Sequence, residues 1–303
     1  MDAPTNESAF RNEGPSLTQR LVIGTGSKYP PVVTALLLLP LLLLLLFSFL
    51  YPVGRMLAGS LFDPDFTLKH YARLFTEPLY MRILMRTLWI AFVATLCGFI
   101  LGYPVAYAMA RSRGRMTILI AACVLVPLWT SVLVRSYAWI LLLQRQGVIN
   151  QFLLKTGILE QPLRLIYTEG AVVVAMTHVL LPFMILPIYS ALKTIPRELL
   201  QAATNLGAGP VSSFLKVTLP LSLPGVFAGT LMTFILALGF YVTPALVGGP
   251  QTMMMSTLIA QQTTVLLDWP FAGALATVLL AVTLLLTFAF RKVLARNGGL
   301  SGV

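Results

Sequence analysis

The segment 193–220 carries the most ordered pattern of polar and apolar residues outside the long apolar runs of the chain. Apolar residues recur there at helical spacing and predict one face of a short helix, with polar residues on the opposite face. The apolar residues are Leu199, Ala202, Ala203 and Leu206, and the polar residues are Glu198, Gln201 and Asn205. Thr194 is the predicted N-cap, Pro196 stands in the first turn, and Gly207 and Gly209 end the helix before a second short helix over 210–217.

The chemistry that this helix offers is recognition of a partner. A short amphipathic helix held between two apolar runs suits docking into a groove of another protein. A helix lying on lipid headgroups is the alternative, but such helices carry several Lys or Arg residues on the polar face. Because no Lys or Arg occurs between residues 198 and 215, the pattern favours docking.

The spacing within this segment resembles a known cytoplasmic signature. Membrane subunits of bacterial ABC importers carry Glu-Ala-Ala, three residues, Gly, nine residues, then Ile-x-Leu-Pro, and this chain has Gln-Ala-Ala, Gly and Val-x-Leu-Pro at the same spacing. In that family the acidic residue helps to hold the loop in a cleft of the ATPase subunit. Gln201 keeps an acceptor oxygen without the charge, and Glu198 is expected to compensate. The implied ATPase-coupling residues are Glu198, Gln201, Ala202, Ala203, Gly207, Val217, Leu219 and Pro220.

Further strings make the chain similar to the first membrane subunit of spermidine/putrescine importers, over roughly residues 30–292. They are Pro127-Leu-Trp129-Thr130-Ser131, Arg135-Ser-Tyr137, Gly147-x-x-Asn150, Leu181-Pro182-Phe183-Met184, Leu186-Pro187-x-Tyr189, Val247-Gly248-Gly249 and Asp268-Trp269-Pro270-Phe271. The resemblance implies a type I permease fold, a polyamine-type solute and a pore shared with a second, homologous permease subunit. It also implies two ATPase subunits, which bind ATP and Mg, and a periplasmic solute-binding protein.

The elements that must position this segment are membrane-spanning helices. Of the 303 residues, 57% are hydrophobic and 10% are charged, which excludes an ordinary soluble domain and a disordered chain. Six apolar runs reach the length of about 20 residues that a helix needs to cross a bilayer. They are 33–54, 83–110, 116–143, 170–192, 221–247 and 271–290. We therefore predict an all-α integral membrane protein with six transmembrane helices, a polar tail over 1–32, a coupling loop over 193–220 and a tail over 293–303.

The distribution of charge predicts the orientation in the membrane. Six spans place both termini and the segments 111–115 and 193–220 on one side, and that side carries more Lys and Arg than the other. By the positive-inside rule this side is cytoplasmic. The formal net charge of +11 is explained in the same way, so the sequence predicts no nucleic-acid partner. The resemblance implies that the membrane is the inner membrane of a bacterial cell.

Candidate residues along a transport path are aromatic or small and polar, since a linear polyamine needs cation–π faces and a few acceptors. They are Trp129, Ser131, Tyr137, Tyr241, Thr243, Asp268 and Trp269. Two other interpretations stay open: aromatic residues near span ends also anchor helices at the interface, and Asp268 also suits a helix cap. Arg135 repels a polycation and is predicted to contact the binding protein or a second subunit. His178 is predicted to hydrogen-bond within the helix bundle.

The energy source is predicted to lie outside this chain. Lys155-Thr156 and Lys193-Thr194 lack the glycines of a nucleotide-binding loop, so this chain is not expected to be the ATPase. We also expect no cofactor, metal or enzymatic activity in it. An ion-driven carrier is the competing class, but it calls for buried ionisable residues and the six predicted spans contain no Asp or Glu. Within the importers, other small solutes remain alternatives, namely amino acids, opines and aminophosphonates.

Overall fold

The computed structural model describes the backbone of residues 31–63 and 65–296, and the side chains of residues 36–63 and 65–292. The predicted tail 1–32 therefore lies outside the described residues except for its last two positions. The predicted tail 293–303 begins as a continuation of the last helix, which ends at Arg296.

The described elements are helices, joined by loops and one isolated bridge between Phe62 and Phe66. In chain order they are α1 (Pro31–Leu45), a π-helical turn (Leu46–Leu50), α2 (Tyr51–Gly59), α3 (Lys69–Thr76), α4 (Pro78–Arg111), α5 (Arg115–Trp129), α6 (Val132–Leu143), α7 (Val148–Lys155), α8 (Glu169–Thr194), α9 (Arg197–Asn205), α10 (Pro210–Ser213), a second π-helical turn (Phe214–Thr218), α11 (Leu219–Leu238), α12 (Val242–Val247), a 3-10 turn (Pro250–Thr252), α13 (Met255–Thr264) and α14 (Trp269–Arg296).

Five described helical runs are long and apolar enough to cross a membrane, and a bent pair brings the number to six if it counts as one span. The five are Leu36–Gly59, Pro78–Arg111, Glu169–Thr194, Pro210–Leu238 and Trp269–Lys292. The bent pair joins α5 to the run Val132–Lys155 at an angle of 99°. The structure is thus the predicted all-α fold.

The bend corrects the prediction of an unbroken helix over 116–143. Pro127 lacks an N–H group, Thr130 adopts an extended conformation, and the Ser131 hydroxyl accepts a hydrogen bond from the Leu133 N–H at 3.2 Å. The Ser131 side chain therefore starts a new helix where the pattern of apolar residues continues without a break.

Two other boundaries differ from the sequence prediction. The helix predicted over 221–247 ends at Leu238, because Gly239 follows as its C-cap and α12 begins only at Val242 with Pro244 in its first turn. The short helix predicted over 210–217 is not separate. It runs through the π-helical turn into α11, so the chain enters the span directly from Pro210.

The chain divides into two units, and the boundary along the sequence lies between Arg55 and Met56. The described side chains of the first unit, from residue 36 onward, are exposed and mostly apolar, as a helix surrounded by lipid tails requires. The second unit has its core where α4, α8 and α11 pack together.

Close approach of α8 and α11 depends on a small residue. A Cβ atom at Gly225 would lie 2.6 Å from the Pro187 carbonyl oxygen, 3.2 Å from Ile188 Cα and against Ala191 Cβ. Small residues allow membrane helices to approach until their backbones touch. The α8–α11 contact holds together the two helices that flank α9.

Candidate functional site

The short helix α9 presents its side chains outward. It has nine residues from Arg197 to Asn205, and none of them is buried. Leu199 is 43% exposed, and Leu206, directly after the helix, is 88% exposed. The predicted amphipathic helix is confirmed, and Leu199 and Ala202 of its apolar face are exposed.

The end of α9 explains why the signature places a glycine four residues after its second alanine. Gly207 has a φ of +81°, and its N–H donates to the Thr204 carbonyl at 2.9 Å. The Ala208 N–H donates to the Ala203 carbonyl, also at 2.9 Å. This pair of bonds is a Schellman motif, which needs a left-handed residue immediately after the C-cap. The signature therefore encodes a helix of fixed length with a sharp end.

The start of α9 differs from the prediction. Thr194 is the last residue of α8, and its hydroxyl donates to the Ala191 carbonyl at 2.8 Å, so it does not cap α9. Pro196 occupies the N-cap position, and no side chain caps the first turn. Glu198 lies in that turn, where a negative charge is favourable next to the helix N-terminus.

The eight predicted coupling residues fall into two groups with different environments. Glu198, Gln201 and Ala202 are exposed, Ala203 is half-buried, and Gly207 forms the turn. Val217, Leu219 and Pro220 come later in the chain and belong to the helical run Pro210–Leu238, a candidate membrane span. Their assigned role in coupling stays a prediction.

Aromatic contacts hold the start of this helical run against the core. Phe214 meets the rings of Tyr103 and Tyr107 edge to face, with centroid distances of 5.9 Å and 5.5 Å. The Tyr103 hydroxyl lies 2.9 Å from that of Ser222, and Leu219 packs against the same cluster. The segment 210–218 is therefore in direct contact with α4 and α11.

The predicted transport-path residues do not form one cluster. Trp129, Ser131, Tyr137 and Trp269 are exposed, with Trp129 the most exposed at 87%. Thr243 is fully buried, and its hydroxyl lies 3.0 Å from that of Ser136.

Asp268 acts as a helix cap. Its carboxylate accepts from the Phe271 N–H at 3.1 Å and from Arg73 at 3.4 Å, and the Arg73 guanidinium lies 4.3 Å from the centre of the Phe271 ring. Of the two interpretations that the sequence left open, the structure supports the cap.

Tyr241 lines a cavity of about 330 Å³ beside α13. Polar side chains from α13 share this lining: Thr257, Gln261 and Thr264. Sequence reasoning missed these three residues, although their spacing of four and three residues is the helical signal that marks one face. No Lys or Arg lines the cavity, so an aromatic face and several acceptor oxygens are available to a cationic group.

Arg135 is buried, with 9% of its surface exposed, and its Nε and Nη1 atoms have no hydrogen-bond partner among the described residues. This burial favours a role inside the chain over the predicted contact with a binding protein or a second subunit, which stays a prediction. His178 accepts a hydrogen bond from Trp139 Nε1 at 3.2 Å, which confirms its predicted role in the bundle.

A cluster of charges on the opposite side of the bundle from α9 was not predicted. Asp63 accepts from Lys69 at 2.9 Å and lies 3.2 Å from His70 Nε2. The hydrogen bond to Lys69, which has the larger effect, and the hydrogen bond to His70 hold the pKa of the Asp63 carboxyl below its ordinary value.

Comparison with known proteins decides the family. The family model described as the inner membrane component of binding-protein-dependent transport systems matches residues 94–297, more than half of the chain. The chain belongs to this family. It is thus a multi-pass inner-membrane protein and a permease subunit of an ABC importer, as the segment 193–220 indicates.

Individual relatives cover most of this permease. The spermidine/putrescine transport system permease protein PotB of Salmonella typhimurium is 34% identical over 77% of this chain and 82% of its own length. PotB of Haemophilus influenzae is 34% identical over 86% of this chain and 90% of its own. Among solved structures, a chain of the bacterial alginate ABC transporter in complex with its periplasmic protein has the same fold, with a TM-score of 0.74 and 18% identity over 89% of this permease and 96% of that chain.

Proposed function

We propose that this permease forms half of the translocation pore for a polyamine of the spermidine/putrescine type. It couples to a separate ATPase through the segment 196–220. The observation that carries this proposal is α9: an exposed amphipathic helix, held between two spans and ended by a Schellman motif at the spacing of the family signature.

The partners follow from the same arrangement. A second, homologous permease subunit completes the pore, one of two ATPase subunits docks on α9 here, and a periplasmic solute-binding protein delivers the solute. ATP and Mg bind to the ATPase subunits, and this chain is not an enzyme. Both termini are cytoplasmic, which agrees with the basic residues Arg111, Arg113, Lys193 and Arg197 near α9.

Coupling proceeds as a rigid-body movement. When the ATPase subunits close on ATP, they pull α9 and the segment 210–218, which Phe214 joins to Tyr103 and Tyr107. Because α4 and α11 pack against α8 in shared core clusters, the pull tilts these helices together and turns the pore outward. Hydrolysis releases the ATPase subunits and resets the bundle.

The solute class is supported by two observations. Relatives named for spermidine and putrescine cover more than three quarters of the chain. The cavity at Tyr241 offers a ring face and the oxygens of Thr257, Gln261 and Thr264 to an ammonium group, with no basic residue in its lining.

The experiment that tests this function is uptake by the complete transporter in proteoliposomes. We expect ATP-dependent uptake of spermidine or putrescine, delivered by the cognate binding protein, in preference to amino acids, opines and aminophosphonates. Uptake that continues without the ATPase subunits would support an ion-driven carrier and refute the coupling role. Preference for another solute of the panel would refute the polyamine assignment alone.

A variant of the cavity sharpens the test. Tyr241→Ala is expected to lower the rate of polyamine uptake about tenfold, and Tyr241→Phe, which keeps the ring, is expected to retain most of it. Assembly with the partner subunits should be unchanged in both, because Tyr241 is about half exposed. Equal uptake by the alanine variant and the parent protein would remove Tyr241 from the path.

A further inference from the structure

A second cavity, of about 300 Å³, lies where α4, α8 and α9 meet. Ligand sites occupy about 300–1,000 Å³, so a small ligand fits it. Its walls come from the end of α4, the following loop, the end of α8, the first half of α9 and the π-helical turn. The lining residues are Tyr107, Ala110, Arg111, Arg113, Leu192, Lys193, Ile195, Arg197, Leu200, Gln201 and Thr218.

The charge of this lining is entirely positive. Arg111, Arg113, Lys193 and Arg197 contribute four basic side chains, and no Asp or Glu belongs to the lining. None of the four forms an ion pair with a carboxylate in the part of the chain that the structure describes. All four side chains are exposed, so they are accessible to an anion that enters the cavity.

Thr218, which also lines the cavity, carries a buried hydroxyl without a partner in the described part of the chain. Thr218 is 3% exposed, and its Oγ1 makes no hydrogen bond within the described residues. Other threonines nearby satisfy their hydroxyls locally: Thr194 donates to Ala191, and Thr204 donates to the Leu200 carbonyl at 2.9 Å. Buried polar groups of native proteins almost always have a partner, so the Thr218 hydroxyl is an unsatisfied donor in the wall of this cavity.

Two further features prepare the site for an anion. The Arg111 guanidinium lies 5.1 Å from the centre of the Tyr107 ring, a distance at which the ring stabilises the cation and restricts its position. Arg197 is the first residue of α9, so the uncapped N-terminus of a nine-residue helix forms part of the wall. The positive end of a helix dipole favours a negative charge.

We propose that this cavity binds a phosphate-bearing anion, a phosphate monoester or the headgroup of an anionic phospholipid, which ties α9 to the ends of α4 and α8. The basic side chains neutralise the phosphate, and the Thr218 hydroxyl donates to one of its oxygens. The bound anion stiffens the junction through which α9 moves the spans, so it modulates coupling to the ATPase. The site is independent of which solute is transported.

The test measures anion binding to the complete transporter after removal of bound lipid. Inorganic phosphate is titrated at constant ionic strength into transporter held in phosphatidylcholine nanodiscs, with thermal unfolding as the readout. In a second arm, nanodiscs contain phosphatidylglycerol, and native mass spectrometry detects lipid that stays bound. A response to phosphate identifies a soluble source, and retained phosphatidylglycerol identifies the lipid headgroup.

Variants of the lining decide whether the response belongs to this cavity. Lys193→Gln and the nearly isosteric Thr218→Val are expected to weaken binding of whichever probe binds the parent transporter. The loss of charge in Lys193→Gln should weaken it about tenfold. Arg115→Gln is the matched control, because it removes a charge close to the α4–α5 loop but outside the lining, and it should bind like the parent protein.

Three results overturn the proposal. The first is that neither phosphate nor phosphatidylglycerol affects the parent transporter. The second is that the cavity variants respond to the anions as Arg115→Gln does. In the third result, the cavity variants lose affinity for an ATPase subunit while their response to the anions is unchanged, which would assign the basic lining to acidic side chains of that partner.

Discussion

Gly207→Ala is the substitution that tests most directly whether the shape of α9 matters for coupling. Gly207 has a φ of +81°, and a Cβ atom at this position meets nothing within 4 Å. The added methyl group therefore introduces backbone strain without a steric clash. For a residue other than glycine, the left-handed conformation costs about 1–2 kcal/mol, so the population of the native turn falls about 5- to 30-fold relative to competing conformations.

A matched control lies two residues further on. A Cβ atom at Gly209 also meets nothing within 4 Å, but its φ is −67°, which any residue adopts. Gly209→Ala therefore adds the same methyl group without the strain. Asn tolerates the left-handed conformation better than Ala does, so Gly207→Asn should fall between the parent protein and Gly207→Ala.

The assay compares the affinity of each variant for the ATPase subunit and the stimulation of ATP hydrolysis by the loaded binding protein. We expect the affinity of Gly207→Ala for the ATPase to fall about 5- to 30-fold, because docking requires the native turn. Gly209→Ala should match the parent protein in both measurements. If the two alanine variants behaved alike, the Schellman motif would not position α9 for docking, and the coupling role derived from it would be wrong.

Three other predictions concern packing, pH and a buried hydrogen bond. Gly225→Ala is expected to lower the free energy of unfolding by about 1–3 kcal/mol, since its Cβ would overlap α8, and thermal unfolding of the purified complex measures this. The depressed pKa of the Asp63 carboxyl predicts a stabilising contribution that is complete above the ordinary pKa of an aspartate, about 4, and disappears as the pH falls through the lower folded value. Asp63→Asn should therefore flatten the loss of thermal stability at acidic pH. Ser136→Ala leaves the buried Thr243 hydroxyl without its partner and should destabilise the protein by about 1–3 kcal/mol, and adding Thr243→Val should recover part of this.

Each of these predictions has an outcome that contradicts it. Gly239→Ala is the control for packing, because no atom lies within 4 Å of its added Cβ, and equal stability of the Gly225 and Gly239 variants would argue against close approach of α8 and α11. If thermal stability fell at acidic pH in Asp63→Asn as it does in the parent protein, Lys69 and His70 would not stabilise the Asp63 carboxylate in the folded state. Additive effects of the Ser136 and Thr243 substitutions would mean that the two hydroxyls do not interact.

Local sequence alone is enough to locate the long apolar helices and the short amphipathic helix α9 between two of them. Transfer of an apolar run into lipid depends on about 20 consecutive residues, so local composition is sufficient to locate the long helices. The end of α9 is also determined by nearby residues. Gly207 adopts a left-handed conformation, and the hydrogen bonds from the N–H groups of Gly207 and Ala208 end the helix. The family signature is a local pattern for the same reason.

Which residues distant in sequence lie together follows only from the packing of the helices. Composition did not reveal the break at Thr130, because apolar residues continue across it, and the capping role of Ser131 depends on the backbone conformation there. The pairing of the Thr243 hydroxyl with that of Ser136, 107 residues away, follows only from the packing of α6 against α12, and the role of Thr243 in a transport path stays a prediction. The basic cavity brings side chains from α4, α8 and α9 together with Thr218, and this arrangement depends on how the helices pack and not on any pattern along the chain.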